Sequence, residues 1–406
     1  MFFLEFTTAF QSVKTMKLEK SQSKTYITYP KEKRHHDRAF LTIAVTVEIG
    51  EQIIQCAECS NLSQNGMLIY TDQDISVGTR GTVTLTKKCS KRNYTFSAAF
   101  EVVRKEKNKT YKYGLGIKFR QLHEEDEKSL RYILDYSLTR AFRKKFFTIN
   151  KNAKELHFKI ADTKEELEQA FNIVHDTYVK EGYIDPQPYG MRLSIYHSLP
   201  FTTTFVGKSD DEVIITCTLF LESELGLPID KMFSEEINKL RKNQRLIAEI
   251  GAFAVRPGQK NQNVNNVIHL HKMIIEYATK FFNIDDLVIT INPKHQGYYK
   301  YVWLFDRIGQ EKRYAALKNQ PVIALRYNLR TKEKQVKESY SDAPPERNLH
   351  HFVYEKKCKS FEWPTTQAAP SVVWDRSLLT YFFEEKTSIF HDTSKEVLAK
   401  ILKFYD

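Results

Sequence analysis

The sequence predicts an α+β multidomain protein, in which an N-terminal antiparallel β-barrel precedes a mixed α/β sheet domain with C-terminal helices. The chain has 406 residues, which is too long for one core of ordinary size. Residues 39–119 alternate apolar and polar positions between regularly spaced turns, which is typical of an all-β barrel or sandwich. After residue 156 strand and helix patterns alternate, which indicates a sheet covered by helices.

The barrel is predicted from the segments LTIAVTVEIG, GMLIYTD, GTRGTVTLT, YTFSAAFEVVRK and YKYGLGIKFR. The next segment, EEDEKSLRYILDYSLTRAFRKKFF, has the period of an amphipathic helix, with acids in its first turn and bases in its last. We expect this helix to close the barrel and to lead into a linker near residues 148–155.

The sheet domain is predicted from the strands HFKIA, TTTFVGK, EVIITCTLFLES, LIAEIGAFAV and LVITIN. Thr163 and Glu166 have the spacing of a capping box, which predicts the start of the helix ELEQAFNIVHDTYVKEG. A second helix is predicted for NVNNVIHLHKMIIEYATKFF. The polar, proline-containing segment 331–369 is expected to be irregular, and the aromatic tail after it to form one or two docking helices.

These patterns divide the chain into a loose lead (1–30), the barrel with its closing helix (31–148), the sheet domain (155–330) and a connection with a helical tail (331–406). The apolar start lacks a basic region and contains Glu5, which is unlike a signal peptide, and Met16 is a second candidate start. No run of eighteen apolar residues occurs, so no membrane-spanning segment is predicted.

The net charge and the cysteine content bear on the kind of partner, the cellular location and metal binding. The net charge of +12 favours an anionic partner but does not choose among nucleotides, nucleic acid, lipid headgroups and an acidic protein. No Lys/Arg-rich arm is present, so a nucleic-acid partner is not predicted. The five cysteines, an odd number, indicate reduced thiols and a cytoplasmic location. Cys56 and Cys59 form a C-x-x-C without a second pair, so no metal site is predicted.

Two arginines and a polar turn indicate a nucleotide site. Arg34 and Arg38 precede the first barrel strand, and a guanidinium can stack on a purine or donate two parallel bonds to guanine. Asn61 and Ser63 offer short polar side chains at a strand end, and Gly66 is expected to adopt a positive φ that lets the backbone approach a ligand. Each motif alone is also typical of a basic tail or of an Asx turn with a hairpin glycine.

Together, R-x-x-x-R, N-x-S-x-x-G and the final strand YGLGIKF resemble the PilZ domain, a receptor for cyclic di-GMP, over about residues 31–148. In that family the arginines grip the bases and phosphates of an intercalated dinucleotide dimer. Lys33 stands where a third arginine would precede Arg34. The resemblance implies cyclic di-GMP as a regulatory ligand bound by Arg34, Arg38, Asn61, Ser63 and Gly66.

An acid within an apolar strand is the first candidate for catalysis. Glu249 lies in LIAEIGAFAV, where burial raises the pKa of a carboxyl group toward the range of a useful base. Such a base can remove a proton from a nucleophile, and the backbone N–H groups near Ala252, Phe253 and Ala254 are candidate donors for a developing oxyanion. The alternative is a glutamate at a strand splay that pairs with a nearby Arg or Lys.

Three further residues are candidates. Arg192 can hold a substrate α-carboxylate in a bidentate fork, or it forms a surface salt bridge. Asn292 and His295 follow a buried strand at its carboxyl end, where open α/β sheets place ligands. His295 either assists proton transfer or is a hydrogen-bonded structural histidine. Tyr298 and Tyr299 are expected to pack rather than to act as acids.

This half resembles the acyltransferase fold shared by GNAT enzymes and acyl-homoserine-lactone synthases, and more closely the long-chain N-acyl amino acid synthases. The match rests on YGMRL, GLPID, RLIAEIGAFAV and INPKHQGYY and covers about residues 155–330. It implies an N-acyltransferase that joins a long-chain fatty acyl group to the amine of an amino acid. Glu249 and His295 would be catalytic, and Arg192, Asn292, Ala252 and Phe253 would bind substrate.

Two departures from related enzymes favour particular substrates. The turn after the catalytic strand, RPGQKNQNVNN, has one glycine, whereas acetyl-CoA users hold the pyrophosphate on a glycine-rich turn. This favours an acyl group carried on acyl carrier protein, an acidic partner that suits a basic chain. Ala252 stands where lactone synthases have an arginine, which favours an amino acid over a homoserine-type acceptor.

The leading hypothesis is therefore a cyclic di-GMP-responsive N-acyltransferase whose lipid product would bring peripheral contact with a membrane. The alternative is a cyclic di-GMP effector whose acyltransferase-like half is a non-catalytic scaffold that binds a partner. A third hypothesis is an acyltransferase that uses CoA and acts on a protein or a small amine.

Overall fold

The computed structural model describes residues 38–90, 92–147, 156–257, 263–363 and 374–405. These residues divide into two compact units, and the chain passes from one to the other between Phe146 and Phe147. Within the described ranges, no helix has both the length and the apolar character needed to cross a bilayer.

The first unit is a closed six-stranded antiparallel barrel with strand order β1-β2-β3-β6-β5-β4. Its inward-facing side chains are apolar and its outward-facing ones polar, which is the period-2 pattern of the sequence. The barrel prediction is confirmed. The strands are β1 (Ala39–Ile49), β2 (Gln52–Ser63), β3 (Gly66–Thr71), β4 (Arg80–Cys89), β5 (Arg92–Lys107) and β6 (Tyr113–Gln121).

The predicted amphipathic helix follows the barrel as α1 (Glu124–Phe146). One face of α1 is apolar and buried, with Leu130, Ile133 and Leu138 among its contacts. Near its start, the Asp126 carboxylate accepts a hydrogen bond from the backbone N–H of Ser97 in β5, at 2.8 Å. The helix is thus fixed to the barrel by an apolar stripe and by a polar contact at its N-terminal turn.

The second unit contains a mixed sheet of eight strands, ordered β12-β14-β11-β10-β9-β8-β7, with β13 also paired to β14. Of the described strand pairs, β10 and β11 run parallel and the others antiparallel. The prediction of a mixed sheet is confirmed. The strands are β7 (His157–Ile160), β8 (Thr203–Ser209), β9 (Glu212–Leu221), β10 (Ile247–Val255), β11 (Asp286–Ile291), β12 (Asp306–Arg307), β13 (Lys312–Tyr314) and β14 (Gln320–Asn328).

Helices cover both faces of this sheet. Phe171 lies in a core cluster with Phe220 of β9 and Val288 of β11, and the aromatic rings of Trp374 and Phe382 pack on it at centroid distances of 6.4 and 5.5 Å. Aromatic side chains from the C-terminal tail therefore contribute to this core. The helices are α2 (Lys164–Lys180), α3 (Asp230–Lys242), α4 (Asn263–Phe282), α5 (Gln296–Tyr298, continued by a π-helical turn, Tyr299–Trp303), α6 (Leu329–Ser339), α7 (Arg376–Thr380) and α8 (Lys395–Leu402).

Two local predictions need correction. The Thr163 hydroxyl caps α2 by accepting from the N–H of Glu166, but the Glu166 carboxylate accepts from Asp162 and pairs with Lys208, so the reciprocal half of the capping box is not formed. The segment predicted to be irregular, 331–369, contains most of α6. Its good helix formers and the Asn328 side chain, which accepts from the N–H of Arg330 at 3.2 Å, explain why a helix starts there.

Candidate functional site

The parallel strands β10 and β11 separate in the middle of the sheet. Their pairing runs from Ile247 to Ile250, where Ile250 is in register with Ile289. Beyond this point residues 251–253 and 290–292 form opposite walls of a cleft of about 100 Å³. Because strands that separate leave backbone N–H and C=O groups without a partner strand, the cleft offers such groups within an otherwise largely apolar lining.

A β-bulge shapes the β10 side of this cleft. Gly251 pairs with Thr218 and Ala254 with Thr216, so Ala252 and Phe253 stand opposite the single residue Cys217. Ala252 has φ +46°, a left-handed conformation that is costly for a residue with a Cβ. The bulge therefore holds a strained backbone at the cleft wall, where Ala252 and Phe253 were predicted to contact substrate.

The orientation of one peptide in the bulge follows from Cys217. Its thiol donates to the Gly251 carbonyl oxygen at 3.4 Å, which directs that carbonyl toward β9. The C=O and N–H of a trans peptide point in opposite directions, so the N–H of Ala252 is directed toward the β11 side. Beyond Ile250, the described residues of β10 are no longer paired with β11.

Glu249 is buried, as predicted, with 5% of its surface exposed. Burial raises its pKa to about 8. The Ile229 N–H, which donates to the carboxylate at 2.6 Å, opposes the rise. The negative charge of Asp230 adds to the rise and the positive charge of Lys231 opposes it. Among the residues that the structure describes, Glu249 makes no ion pair. The alternative of a glutamate paired with an Arg or Lys is therefore not what the structure shows.

The face of the sheet on which Glu249 lies follows from strand register. Glu249 is in register with Phe220 of β9 and Val288 of β11, and both belong to the core cluster under α2. The described lining of the cleft starts at the next residue, Ile250, and does not include Glu249. Tyr178 of α2 belongs to both places, because it lines the cleft and packs against the same cluster.

Arg192 is half-buried, and its backbone N–H donates to the Phe171 carbonyl at 3.0 Å. Its guanidinium has no hydrogen-bond or ion-pair partner within the part of the chain that the structure describes, so the salt-bridge alternative is not seen. Burial raises the pKa of Tyr178 to about 12, while Arg192 opposes the rise and Glu249 adds to it. The charges of Arg192 and Glu249 therefore both affect the pKa of the Tyr178 hydroxyl.

Asn292 and His295 line the same cleft, at the end of β11. The Asn292 side chain accepts from the N–H of Lys294 at 3.1 Å and starts the 3₁₀ turn Pro293–His295. Burial, with a smaller effect of Lys294, holds the pKa of His295 well below its ordinary value. The imidazole is therefore neutral and a weak base, so Glu249 is the better candidate for proton removal.

Sequence reasoning missed other cleft residues, notably Tyr178 and His271. Both lie on amphipathic helices, where an aromatic residue follows the apolar period and gives no sign of a site. His271 Nδ1 lies 2.8 Å from the Val267 carbonyl and donates to it, so Nε2 carries the lone pair. Burial lowers its pKa to about 4, which keeps the ring neutral.

The barrel brings several predicted nucleotide residues together. The Arg38 guanidinium donates to the Asn61 Oδ1 at 3.0 Å, and the Ser63 hydroxyl donates to the Gly66 carbonyl at 2.9 Å. Asn61 and Ser63 are both buried. Arg34 lies outside the described residues.

The prediction that Gly66 adopts a positive φ is wrong. Its φ is not among the positive values of the described glycines. A Cβ at this position would stand 2.1 Å from the Ile117 carbonyl oxygen, because β3 and β6 approach closely there. Glycine is therefore required by the close approach of two strands rather than by a left-handed turn.

The turn after β10, on which the choice of acyl carrier protein over CoA depends, falls largely on residues 258–262. These lie outside the described part of the chain. The preference for acyl carrier protein stays a prediction.

Comparison with known proteins gives two family matches and several structural neighbours. A direct comparison with curated protein sequences found no match. One solved structure is the N-acyl amino acid synthase FeeM from uncultured soil microbes, which is 27% identical with a TM-score of 0.39; the match covers 44% of this chain and 93% of that chain. Another is the CoA-dependent acyl-homoserine lactone synthase BjaI, solved with SAM and isopentyl-CoA, which is 13% identical with a TM-score of 0.39; the match covers 53% of this chain and 97% of that chain.

A third neighbour is the Bacillus subtilis inhibitor of motility MotI (DgrA), 14% identical, with TM-score 0.25, 29% of this chain and 58% of that chain covered. The family model for the PilZ domain matches residues 32–135, which contain the barrel and part of α1. The model for the N-acyl amino acid synthase FeeM matches residues 169–328, which contain the cleft and Glu249. The chain therefore matches the PilZ domain over its barrel and the FeeM N-acyl amino acid synthase family over the part of the sheet domain that contains the cleft.

Proposed function

We propose that the second unit is an N-acyltransferase that joins a long-chain fatty acyl group to the amine of an amino acid. The observation that carries the proposal is Glu249, which is buried, forms no ion pair with any residue that the structure describes, and lies one residue before the cleft lining. A carboxylate whose pKa is about 8 is a far stronger base than an ordinary glutamate. The match to the FeeM family over residues 169–328 supports the same chemistry.

A substrate ammonium and a thioester give an amide, a thiol and one released proton. The nitrogen lone pair forms the N–C bond, the C–S bond breaks with its electron pair on sulfur, and Glu249 accepts the proton that makes the amine nucleophilic. The N–H of Ala252, which points away from β9, is the donor proposed for the oxyanion.

Arg192 is proposed to bind the substrate carboxylate. Its half-buried guanidinium has no partner among the described residues and lies close enough to the Tyr178 hydroxyl to oppose the rise of its pKa. A guanidinium and a carboxylate form two parallel charge-assisted hydrogen bonds, which fixes the orientation of the amino acid. The amine would then be held on the side of Glu249.

Product formation tests the enzyme. The full chain is incubated with acyl-acyl carrier protein or acyl-CoA and a mixture of amino acids, and N-acyl products are measured by mass spectrometry. We expect product with the wild type, a preference for the carrier-protein donor, and a loss of at least about 10²-fold in Glu249→Gln. Glu346→Gln, at an exposed position, is the matched control. Full turnover in Glu249→Gln contradicts the assignment of Glu249 as the base, whereas absence of product with the wild type favours a non-catalytic scaffold.

We also propose that the first unit binds cyclic di-GMP at Arg38, Asn61, Ser63 and Gly66, together with Arg34. The match to the PilZ domain over residues 32–135 and the contact between Arg38 and Asn61 support this ligand. Arg38→Ala removes a guanidinium that can bind base or phosphate, so we expect at least about 10²-fold weaker binding in calorimetry. Arg131→Ala, which removes an exposed pair with Glu127, should bind like the wild type. Equal affinity in the two variants would refute the assignment.

A further inference from the structure

The cleft crosses the sheet from one face to the other, because its lining includes residues of both α2 and α4. The helix α2 packs on the core cluster that contains Val206 of β8. Tyr277 of α4 instead packs on Phe205, the residue before Val206, with ring centroids 5.1 Å apart. Successive side chains of a strand point to opposite faces, so the two helices lie on opposite faces. His271 of α4 therefore lines the end of the cleft on the face opposite Glu249, which lies on the α2 side.

The lining between the two faces suits the chain of an acyl group. Ile250 and Ile289 lie where β10 and β11 stop pairing, and the Phe253 ring lies 5.8 Å from that of His271, centroid to centroid. If Glu249 acts as proposed, the thioester carbon lies toward the α2 side. Of the proposed substrates, the acyl chain is the one that is long and apolar enough to extend from there to His271.

Two buried polar side chains line the far end of the cleft. His271 is 3% exposed, and its Nδ1–H donates to the Val267 carbonyl at 2.8 Å, so its Nε2 can only accept. Tyr299 is also buried, and its ring centroid lies 5.9 Å from that of His271. Neither His271 Nε2 nor the Tyr299 hydroxyl has a hydrogen-bond partner among the residues that the structure describes. An unsubstituted hydrocarbon chain would leave both groups unsatisfied, which is costly in a buried site.

The imidazole of His271 is fixed by its neighbours. Trp303 stacks on it with ring centroids 5.1 Å apart and an interplanar angle of 29°, and the bond to the Val267 carbonyl sets the direction of Nδ1. Burial lowers the pKa of His271 to about 4, so the ring is neutral and Nε2 keeps its lone pair at neutral pH. A fixed acceptor of this kind loses little side-chain entropy when it binds a donor group.

We propose that the fatty acyl group carries a hydroxyl on its chain, and that His271 and Tyr299 select this hydroxyl. The inference rests on the proposed function and narrows its acyl donor. A hydroxyl donates to His271 Nε2 and accepts from the Tyr299 hydroxyl, so it satisfies both groups. A keto oxygen only accepts, which leaves Nε2 unpaired. A site that hydrogen-bonds a substrate hydroxyl discriminates strongly against the analogue that lacks it, because the buried groups then have no partner.

A competition between acyl thioesters of one chain length tests the selection. The full chain receives an amino acid mixture and equal amounts of unsubstituted, keto and hydroxyl donors, with the substituent at the third carbon or in the middle of the chain. Mass spectrometry measures the N-acyl products. We expect the wild type to prefer at least one hydroxyl donor by about tenfold or more over the unsubstituted donor and over the keto donor with the same position. A smaller preference for every hydroxyl donor would overturn the inference.

Variants assign the preference to the two side chains. His271→Leu removes the acceptor, and Tyr299→Phe removes one oxygen, so each should lower the preference by about fivefold or more. His271→Gln supplies another acceptor and should retain more of the preference than His271→Leu. His269→Leu is the matched control: it lies on the same helix, its Nδ1 donates to the Asn265 carbonyl at 2.7 Å, and it is not in the described cleft lining. Its preference should equal that of the wild type.

The ratio of products is measured within one reaction, so a variant that folds less well still reports its preference. A preference that survives in His271→Leu and in Tyr299→Phe would overturn the assignment, and a water held on Nε2 in place of the ligand hydroxyl would give that result. Turnover of all donors at one rate refutes the hydroxyl selection alone. Absence of product from every donor with the wild type is a different result, because it refutes the proposed function itself.

Discussion

The chemistry of Glu249 is set by its surroundings rather than by its residue type. It has apolar strand neighbours, one backbone N–H donor and no ion pair with a described residue, so burial outweighs the opposing effect of Lys231 and its pKa rises. Asp286 is fully buried but pairs with Arg245 and Arg326, as expected of an acid with a structural role. The contrast between these two acids of the same sheet separates a candidate base from a structural carboxylate.

The raised pKa of Glu249 predicts a pH-dependent difference in stability. Its pKa is about 8 in the folded protein against 4.5 as the ordinary value, so the protonated side chain stabilises the fold at low pH and this contribution is lost as pH rises through 8. Relative to Glu249→Gln, the wild type should lose about 3 kcal/mol of unfolding free energy between about pH 5.5 and about pH 8.5.

Thermal unfolding of both proteins across this pH range measures the difference. Glu346→Gln, which changes an exposed carboxylate, corrects for the general effect of pH on the chain. A constant gap in Tm between the wild type and Glu249→Gln would mean that Glu249 is ionised in the folded protein at neutral pH, and the assignment of a raised pKa would be wrong.

Sequence patterns single out a candidate residue when a mismatch or a spaced motif marks it. Glu249 breaks an apolar strand, and Arg38 and Asn61 belong to a spaced motif, so the sequence alone makes each a candidate. Tyr178 was missed because an aromatic residue on a helix matches the apolar period. Gly66 was found for the wrong reason, since its need for a missing Cβ arises from β6, which is remote in sequence.

At the scale of secondary-structure elements, the site depends on where the pairing of β10 and β11 ends. The strands β10 and β11 were predicted from their apolar runs, but the sequence does not show that their pairing ends at Ile250 and Ile289. The bulge at Ala252 and Phe253 also has no signal in the sequence, because alanine is not typical of positive φ. Register and separation of strands are tertiary properties, which explains why the cleft itself was not predicted.

The strained bulge predicts opposite effects on stability and rate. Ala252→Gly relieves a left-handed conformation, so we expect an unchanged or higher Tm, with a gain of up to about 1 kcal/mol in unfolding free energy. The same change loosens the N–H proposed for the oxyanion, so kcat should fall by about tenfold or more. Unfolding and steady-state kinetics measure the two effects, with Ala248→Gly, in the paired part of β10, as the control that loses stability.

A fall in both Tm and kcat for Ala252→Gly would contradict this account. It would mean that the left-handed residue is not strained and that the loss of activity reflects a damaged sheet. A rise in Tm with full activity would separate the bulge from catalysis. The oxyanion would then need another donor.

At the scale of the whole molecule, one chain joins a unit that matches the PilZ domain to a unit that matches the FeeM family. If cyclic di-GMP alters the affinity of the second unit for its substrates, the binding free energies are linked. Thermodynamic reciprocity requires the acyl donor to change the affinity for cyclic di-GMP by the same factor. Regulation can therefore be tested by binding alone, without a measurement of turnover.

We expect a non-hydrolysable acyl donor analogue, bound at saturation, to change the Kd of the full chain for cyclic di-GMP by about fivefold or more, the lower range of allosteric coupling. Calorimetric titrations with and without the analogue measure the factor, and the reverse titration must give the same value. Arg192→Ala, a change in the second unit alone, leaves the barrel site intact and gives the reference affinity for cyclic di-GMP. Tight nucleotide binding with a coupling factor of one would show two independent functions on one chain, because a ligand that does not distinguish two states cannot shift them.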